Sequence, residues 1–251
     1  MVVGPRRAVT APTVSVVIPA KNEARNLPWV LPRIPMSVDE VILVDGLSTD
    51  ETVAVAKMTL PDVVVVHEPR PGKGVAVRTG FKKARGDIIV MLDADGSMDP
   101  LEIPRFVDAI LSGADFVKGS RFMSGGGTTD MTFIRKMGNA GLRELANVLY
   151  RTAFSDLCYG YCAMRRTALE GISLDADGFD IEMQLIARMH LSGVSSAEVA
   201  SFEHPRRHGA SNLRALPDGW RVLKALLRER FRTSPLSDDS PAAGGAAEPA
   251  S

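Results

Sequence analysis

Two aspartates, Asp93 and Asp95, stand one residue apart in MLDADGS, directly after the apolar run IIVML. Like charges at the end of a buried strand are costly. Two carboxylates about 4 Å apart repel by about 4 kcal/mol at an effective dielectric near 20. A divalent cation relieves that repulsion, and hard carboxylate oxygens suit Mg2+ or Mn2+, which also hold substrate phosphates. Alone, the D-x-D spacing is equally what an Asp-Gly turn would leave. Three further groups sharpen it. Asp45 closes VDEVILVDG just ahead of Ser48, Thr49 and Asp50, which suit a helix N-terminus. Lys73 lies between Gly72 and Gly74 at the head of a helix, where free backbone N–H groups and an ammonium make a phosphate site. The spacing is not that of a Walker loop, and Arg78 rather than glycine falls near the third position of G-x-G-x-x-G. Glu23 ends PAKNE, after Pro19 and Ala20; its plain alternative is a first-turn acid of a helix.

These residues need a scaffold that brings them to one edge. TVSVVIPA from Thr13, VDEVILVDG, VVVVH, GDIIVMLDADG and ADFVKGSRF read as β-strands. Between them, a short helix limited by Pro32 and Pro35, then STDETVAVAKMTL, GKGVAVRTGFKKAR and Pro100 to Leu111 read as helices. Such alternation predicts an α/β fold, a mostly parallel sheet with helices on both faces and right-handed crossovers. Ligands of such sheets bind at the carboxyl ends of the strands, where Asp45, Asp93 and Asp95 stand. Strand alternation would turn Asp93 and Asp95 to the same face. The second half is more helical. A helix from Arg135 carries Leu142, Leu145, Ala146 and Leu149 at helical spacing, another spans 178–193 with Gly193 as its stop, and DGWRVLKALLRERF is the last. Residues 1–12 and the Pro/Ala/Gly/Ser-rich stretch 234–251 are expected to be disordered.

Bulk composition excludes several classes. The 251 residues suit one generous domain, and 45% apolar content supplies its core. Thirty basic residues balance thirty acidic ones, so no global field attracts nucleic acid. Cys158 and Cys162 are too few for a disulfide scaffold or a four-ligand zinc site and read as core. His204 and His208 are separated by Pro205, which argues against a zinc pair on one helix face. No run of about 18 apolar residues predicts a membrane-spanning helix, and MVVGPRRAVTAPT lacks the apolar centre of a signal peptide. The expected setting is cytoplasmic, with any membrane contact peripheral, at the inner face of the plasma membrane.

In the order PAKNE, D-G-x-S-x-D, G-K-G, D-A-D, the sequence resembles the family 2 glycosyltransferases, which have a GT-A (Rossmann-like) nucleotide-sugar-binding fold. Within them it is most similar to the polyprenyl-phosphate sugar synthases of the dolichol-phosphate mannose synthase type. The resemblance covers roughly residues 13–230 and is most specific over 13–121. It implies one domain over 13–233, with a nucleotide-sugar-binding half, 13–121, and a helical acceptor-side half, 122–233. It implies that Pro19, Ala20 and Glu23 lie against the nucleoside, that Asp45 bonds the base, and that Lys73 sits near base or phosphates. Asp93, facing the ribose or metal-bound water, Asp95 and Ser97 would form the Mg2+ or Mn2+ set on the donor diphosphate. Arg121 of GSRF and Arg135, beside Lys136, would meet an acceptor phosphate. Glu182 matches an acid on the following helix. PRRHGASNL, with Arg206 or Arg207, Gly209 and Ser211, would close over the donor. Where relatives often carry Thr-Ser before the glycine at 160, Cys158 and Tyr159 stand here.

The implied reaction is inverting transfer of a sugar from a UDP- or GDP-sugar, with a polyprenyl phosphate as preferred acceptor. A hydroxyl acceptor would need a carboxylate base, with Asp156, Asp180 and Glu182 as candidates. Two rivals come from other classes. A sugar nucleotidyltransferase wants a glycine-rich, basic loop after the first strand, where PAKNE stands. A non-catalytic nucleotide-sugar-binding protein would have no use for the paired aspartates.

Overall fold

The β-branched runs lie side by side in the computed structural model, which describes residues 11–129, 131–209 and 215–232. The first half alternates: β1 (Val14–Ala20), α1 (Leu27–Val30), β2 (Glu40–Asp45), α2 (Thr52–Thr59), β3 (Val64–His67), α3 (Lys73–Lys83), β4 (Ile88–Met91), α4 (Ile103–Leu111) and β5 (Phe116–Ser120). Then follow β6 (Gly127–Thr128), α5 (Phe133–Tyr150), β7 (Cys162–Arg165), α6 (Arg166–Glu170), α7 (Ile181–Leu191), β8 (Ser196–Ala200), β9 (Phe202–Glu203) and α8 (Ala215–Phe231). Seven strands form one sheet in the order β3-β2-β1-β4-β7-β5-β8, and β6 pairs with β9 apart from it.

Strand residues alternate between two apolar layers, which is why both faces need helices. Val16, Ile18, Val41, Leu43, Ile88 and Val90 pack with Leu27 of α1, Ala56 of α2 and Phe106 of α4. Val17, Ile42, Val44, Ile89 and Met91 pack on the other side with Phe81 of α3, Ala146 of α5, Leu185 of α7 and Leu226 of α8. The mostly parallel α/β sheet expected from the sequence is therefore present.

Two details differ from the sequence reading. β4 ends at Met91, so Asp93 and Asp95 lie on the turn beyond it and strand alternation does not orient them. The sheet is also wider: β7 enters antiparallel between β4 and β5, and β8 adds parallel to β5. Cys-Ala-Met-Arg of β7 is too short to show a period, and Ser-Ala-Glu-Val-Ala of β8 is poor in β-formers. Residues 1–10 and 233–251 lie outside the described residues.

The helices of the second half are tied together by ion pairs. Arg188 of α7 meets Glu229 of α8 at 2.8 Å, and Gln184 donates to the same carboxylate at 2.8 Å. Asp175 accepts from Arg232 at 2.8 Å and Arg188 at 3.2 Å. Burial raises the pKa of Asp175 and Glu229, but these cations and amides outweigh it and hold both below the usual carboxylate range. A depressed folded pKa means that the unfolded chain binds more protons in acid, so this stability is complete above about pH 4–5 and is lost as pH falls further. We expect Tm to drop progressively from pH 5 to pH 3, and Asp175→Asn to flatten that drop. A Tm unchanged over this interval would refute the assignment.

Candidate active site

A cleft of about 580 Å³ opens at the carboxyl ends of β1 and β4. Pro19 and Ala20, the last residues of β1, form one wall with Glu23, while Lys73, Asp93, Asp95, Ser97, Arg121, Arg135, Glu182 and Arg206 line the rest. Asp45 is buried at the end of β2; its neighbour Gly46 lines the cleft. The Asp45 carboxylate accepts from Ser48 N at 3.3 Å and lies 3.3 Å from His67 Nδ1.

Lys73 is delivered by a close backbone contact. Gly74 N donates to Asp177 O at 2.9 Å, and a Cβ at position 74 would stand 2.2 Å from Ala176 O. Only glycine allows the start of α3 this near the loop before α7. Lys73 Nζ then lies 2.7 Å from Asp93 Oδ1 and 2.6 Å from Glu182 Oε1. Burial alone would depress the lysine; the two carboxylates outweigh it and hold its pKa above the ordinary lysine value. Burial pushes Asp93 up to about 6 against the pull of Lys73, and Glu182 and Asp95 add to the rise.

Asp95 has a different cation. Its Oδ2 accepts from Arg206 Nη1 at 3.2 Å, and its Oδ1 accepts from Ser97 N at 2.9 Å. Arg206 also bonds Glu23, whose other oxygen accepts from Asn26 Nδ2 at 2.5 Å. Burial raises Glu23 above its usual value, opposed by Asn26 and Arg206. Arg207 points elsewhere: its guanidinium stacks 3.9 Å from the centre of the Trp29 ring. Ser211 lies outside the described residues.

The donor set suits a hard cation. Asp93, Asp95 and the Ser97 hydroxyl offer oxygen, although no cluster of three or more His, Cys, Asp or Glu converges among the described residues. Mg2+ needs few protein ligands, taking the remainder from phosphates and water. Two cations face four carboxylates here: Lys73 is shared between Asp93 and Glu182, and Arg206 between Asp95 and Glu23, which leaves net negative charge that a divalent cation would offset.

Arg121 is fully engaged. It bonds Asp156 with Nε at 2.6 Å and Nη2 at 3.0 Å, Glu203 with Nη1 at 2.9 Å, and the Cys158 carbonyl at 3.0 Å. Burial raises the Asp156 pKa, but Lys118 and Arg121 outweigh it and hold Asp156 below the usual range. A buried, paired Asp156 is badly placed as a general base. Arg135, on α5, lines the same cleft. Burial pushes both cysteine thiols up to about 12, so they remain protonated. Glu203 and Trp29 had no sequence signal: Glu203 meets Arg121, and Trp29 meets Arg207, only through packing between segments distant in sequence.

These features fit a known fold class and family. The profile of glycosyl transferase family 2 matches residues 15–173, and the chain belongs to that family. It is 32% identical over 210 residues to a dolichol-phosphate mannosyltransferase of Pyrococcus furiosus, covering 80% of this chain and 59% of the relative. It is 34% identical over 211 residues to a polyprenol monophosphomannose synthase of Mycolicibacterium smegmatis, covering 79% of this chain and 80% of the relative. The chain thus spans about six tenths of the Pyrococcus protein and 54% of a hexosyltransferase of Haloferax volcanii. Among solved structures it resembles glucosyl-3-phosphoglycerate synthase of Mycobacterium tuberculosis in complex with Mn2+, UDP and phosphoglyceric acid. The TM-score is 0.69 at 26% identity, covering 89% of this chain and 80% of that one. The same synthase with Mg2+ and UDP gives 0.66 at 26% identity, covering 87% of this chain and 79% of that one. The GT-A architecture expected from the sequence is therefore the fold of this chain, and the family excludes the nucleotidyltransferase reading.

Proposed function

We propose that this protein transfers a sugar from a UDP- or GDP-sugar to a polyprenyl phosphate, using Mg2+ or Mn2+. The observation that carries the reading is the convergence of Asp93, Asp95, Lys73 and Arg206 in one cleft at the carboxyl edge of the sheet. The names of the P. furiosus and M. smegmatis relatives support the acceptor, and the metal–UDP complexes of the mycobacterial synthase support the donor and the ion.

Asp93, Asp95 and Ser97 would hold the ion, which supplies charge stabilisation to the departing nucleoside diphosphate. Lys73 and Arg206 would turn from these carboxylates toward the diphosphate and add to that stabilisation. Pro19, Ala20, Glu23 and Asp45 would form the nucleoside side. The acceptor oxygen would attack the anomeric carbon from the face opposite the leaving group, forming one C–O bond as the other breaks, with inversion. A phosphate oxygen is already anionic, so no carboxylate base is required. Arg135 would orient it, since a guanidinium fork matches phosphate. Arg121 would shape that end of the cleft through Asp156 and Glu203.

The acceptor side carries exposed Phe133, Met137, Trp220 and Phe231 on α5 and α8, beside Lys136 and Lys224. No described helix is long and apolar enough to cross a membrane. Apolar side chains among cations suit peripheral contact with an anionic lipid surface. The protein should co-sediment with phosphatidylglycerol vesicles and less with phosphatidylcholine vesicles; equal pelleting with both would contradict this.

A second reading has its own support. The mycobacterial synthase complex contains phosphoglyceric acid, so a small hydroxyl acceptor remains a rival. A panel of UDP- and GDP-sugars against a polyprenyl phosphate and a hydroxyl acceptor, with product mass measured, separates the two. Product on the lipid phosphate supports the proposal; product only on the hydroxyl acceptor sinks it.

A further inference from the structure

The segment that brings Arg206 to the donor carboxylates is gripped from outside the cleft. Glu203 bridges Met98 antiparallel, His204 N donates to Ser97 O at 2.9 Å, and Arg207 N donates to Asp95 O at 3.2 Å. Residues 203–207 therefore run alongside the Asp95–Met98 turn, held by one isolated bridge and two backbone hydrogen bonds. Beside this turn the Arg207 guanidinium lies 3.9 Å from the Trp29 ring centre, and the Arg33 guanidinium lies 4.5 Å from it. Arg33 in turn holds Asp99 at 2.8 Å, anchoring the far end of the turn. The turn itself leaves room for the stack. Gly96 has φ +77°, and a Cβ there would meet the Arg207 stem at 3.1 Å and Trp29 Cε3 at 3.3 Å.

We propose that Trp29 is a positioning residue for the donor: by gripping Arg207 it fixes the backbone that carries the neighbouring Arg206 beside Asp95 and Glu23, from where the Arg206 side chain can turn to the diphosphate. Arg207 acts through Trp29 and not as a donor ligand. This rests on the donor reading above. The grip is a cation–π contact on a partly exposed ring, so its loss should loosen the segment without unfolding the domain.

The test is titration of UDP and GDP, each with Mn2+, into wild type, Trp29→Ala, Arg207→Ala, Trp29→Phe and the Trp29→Ala/Arg207→Ala double variant. For the nucleotide that wild type binds, each alanine variant should weaken binding about five- to tenfold. The double variant should be no worse than Trp29→Ala, because that single change already removes the Arg207 contact along with the one to Arg33. Trp29→Phe keeps a ring face and should restore most of the affinity. In turnover, donor KM should rise while acceptor KM is unchanged. The sequence holds two tryptophans, Trp29 and Trp220, so a Trp220→Phe background makes Trp29 the sole reporter. There, Mn2+ with nucleotide should shift its emission, and Arg207→Ala should abolish that shift. Unchanged nucleotide affinity in Arg207→Ala, or additive losses in the double variant, would overturn the proposal. If wild type binds neither nucleotide with Mn2+, the donor reading fails, and this inference fails with it.

Discussion

Asp95→Asn is expected to leave the protein folded and to reduce sugar transfer by about a thousandfold or more. The asparagine keeps an oxygen for Ser97 N, so the turn that follows β4 loses no backbone contact. What it loses is the charge that Arg206 now balances and that a metal–diphosphate would use. Removing one preorganised electrostatic partner of a leaving group costs about two to three orders of magnitude in rate, and weakening a metal ligand adds to that. The measurement is kcat for nucleoside diphosphate release, with a thermal melt as control. Activity within tenfold of wild type would mean that Asp95 does not hold the ion.

Arg121→Met should act mainly on stability. The side chain is almost fully buried with Asp156 and Glu203, and its exchange for an apolar chain strands both carboxylates. Breaking such a buried pair from one side costs about 3–5 kcal/mol. For a domain of this size each kcal/mol moves Tm by about 2–4 °C, so a fall of roughly 6–20 °C is expected. Arg121→Lys, which keeps charge but not the fork, should fall less. A normal Tm in Arg121→Met together with a raised acceptor KM would instead make Arg121 a direct acceptor ligand.

Much of this architecture was legible because the first half obeys local rules. The strands β1, β2 and β4 are runs rich in β-branched residues and mostly buried, β3 is a β-branched edge strand, and their helices begin at polar or glycine positions. Lys73 is legible because it begins α3, and Asp93, Asp95 and Glu23 because each lies within four residues of a strand end. β7 was not legible: four residues placed between β4 and β5 owe their strand state to neighbours distant in sequence. The pairing of charges was equally hidden. Sequence shows that Lys73 and Glu182 exist, but their 2.6 Å contact depends on how α7 meets α3. The same holds for Arg206 and Arg207, adjacent in sequence, of which one enters the cleft and the other stacks on Trp29.

The most direct test is a crystal of this protein grown with Mn2+ and UDP or GDP, with anomalous scattering recorded for the manganese. The account predicts one strong anomalous peak between the Asp93–Ser97 turn and the bound diphosphate, with Asp95 as a ligand and Arg206 moved off its carboxylate. A diphosphate bound away from this cleft, or bound within it with no manganese at Asp95, would contradict the account.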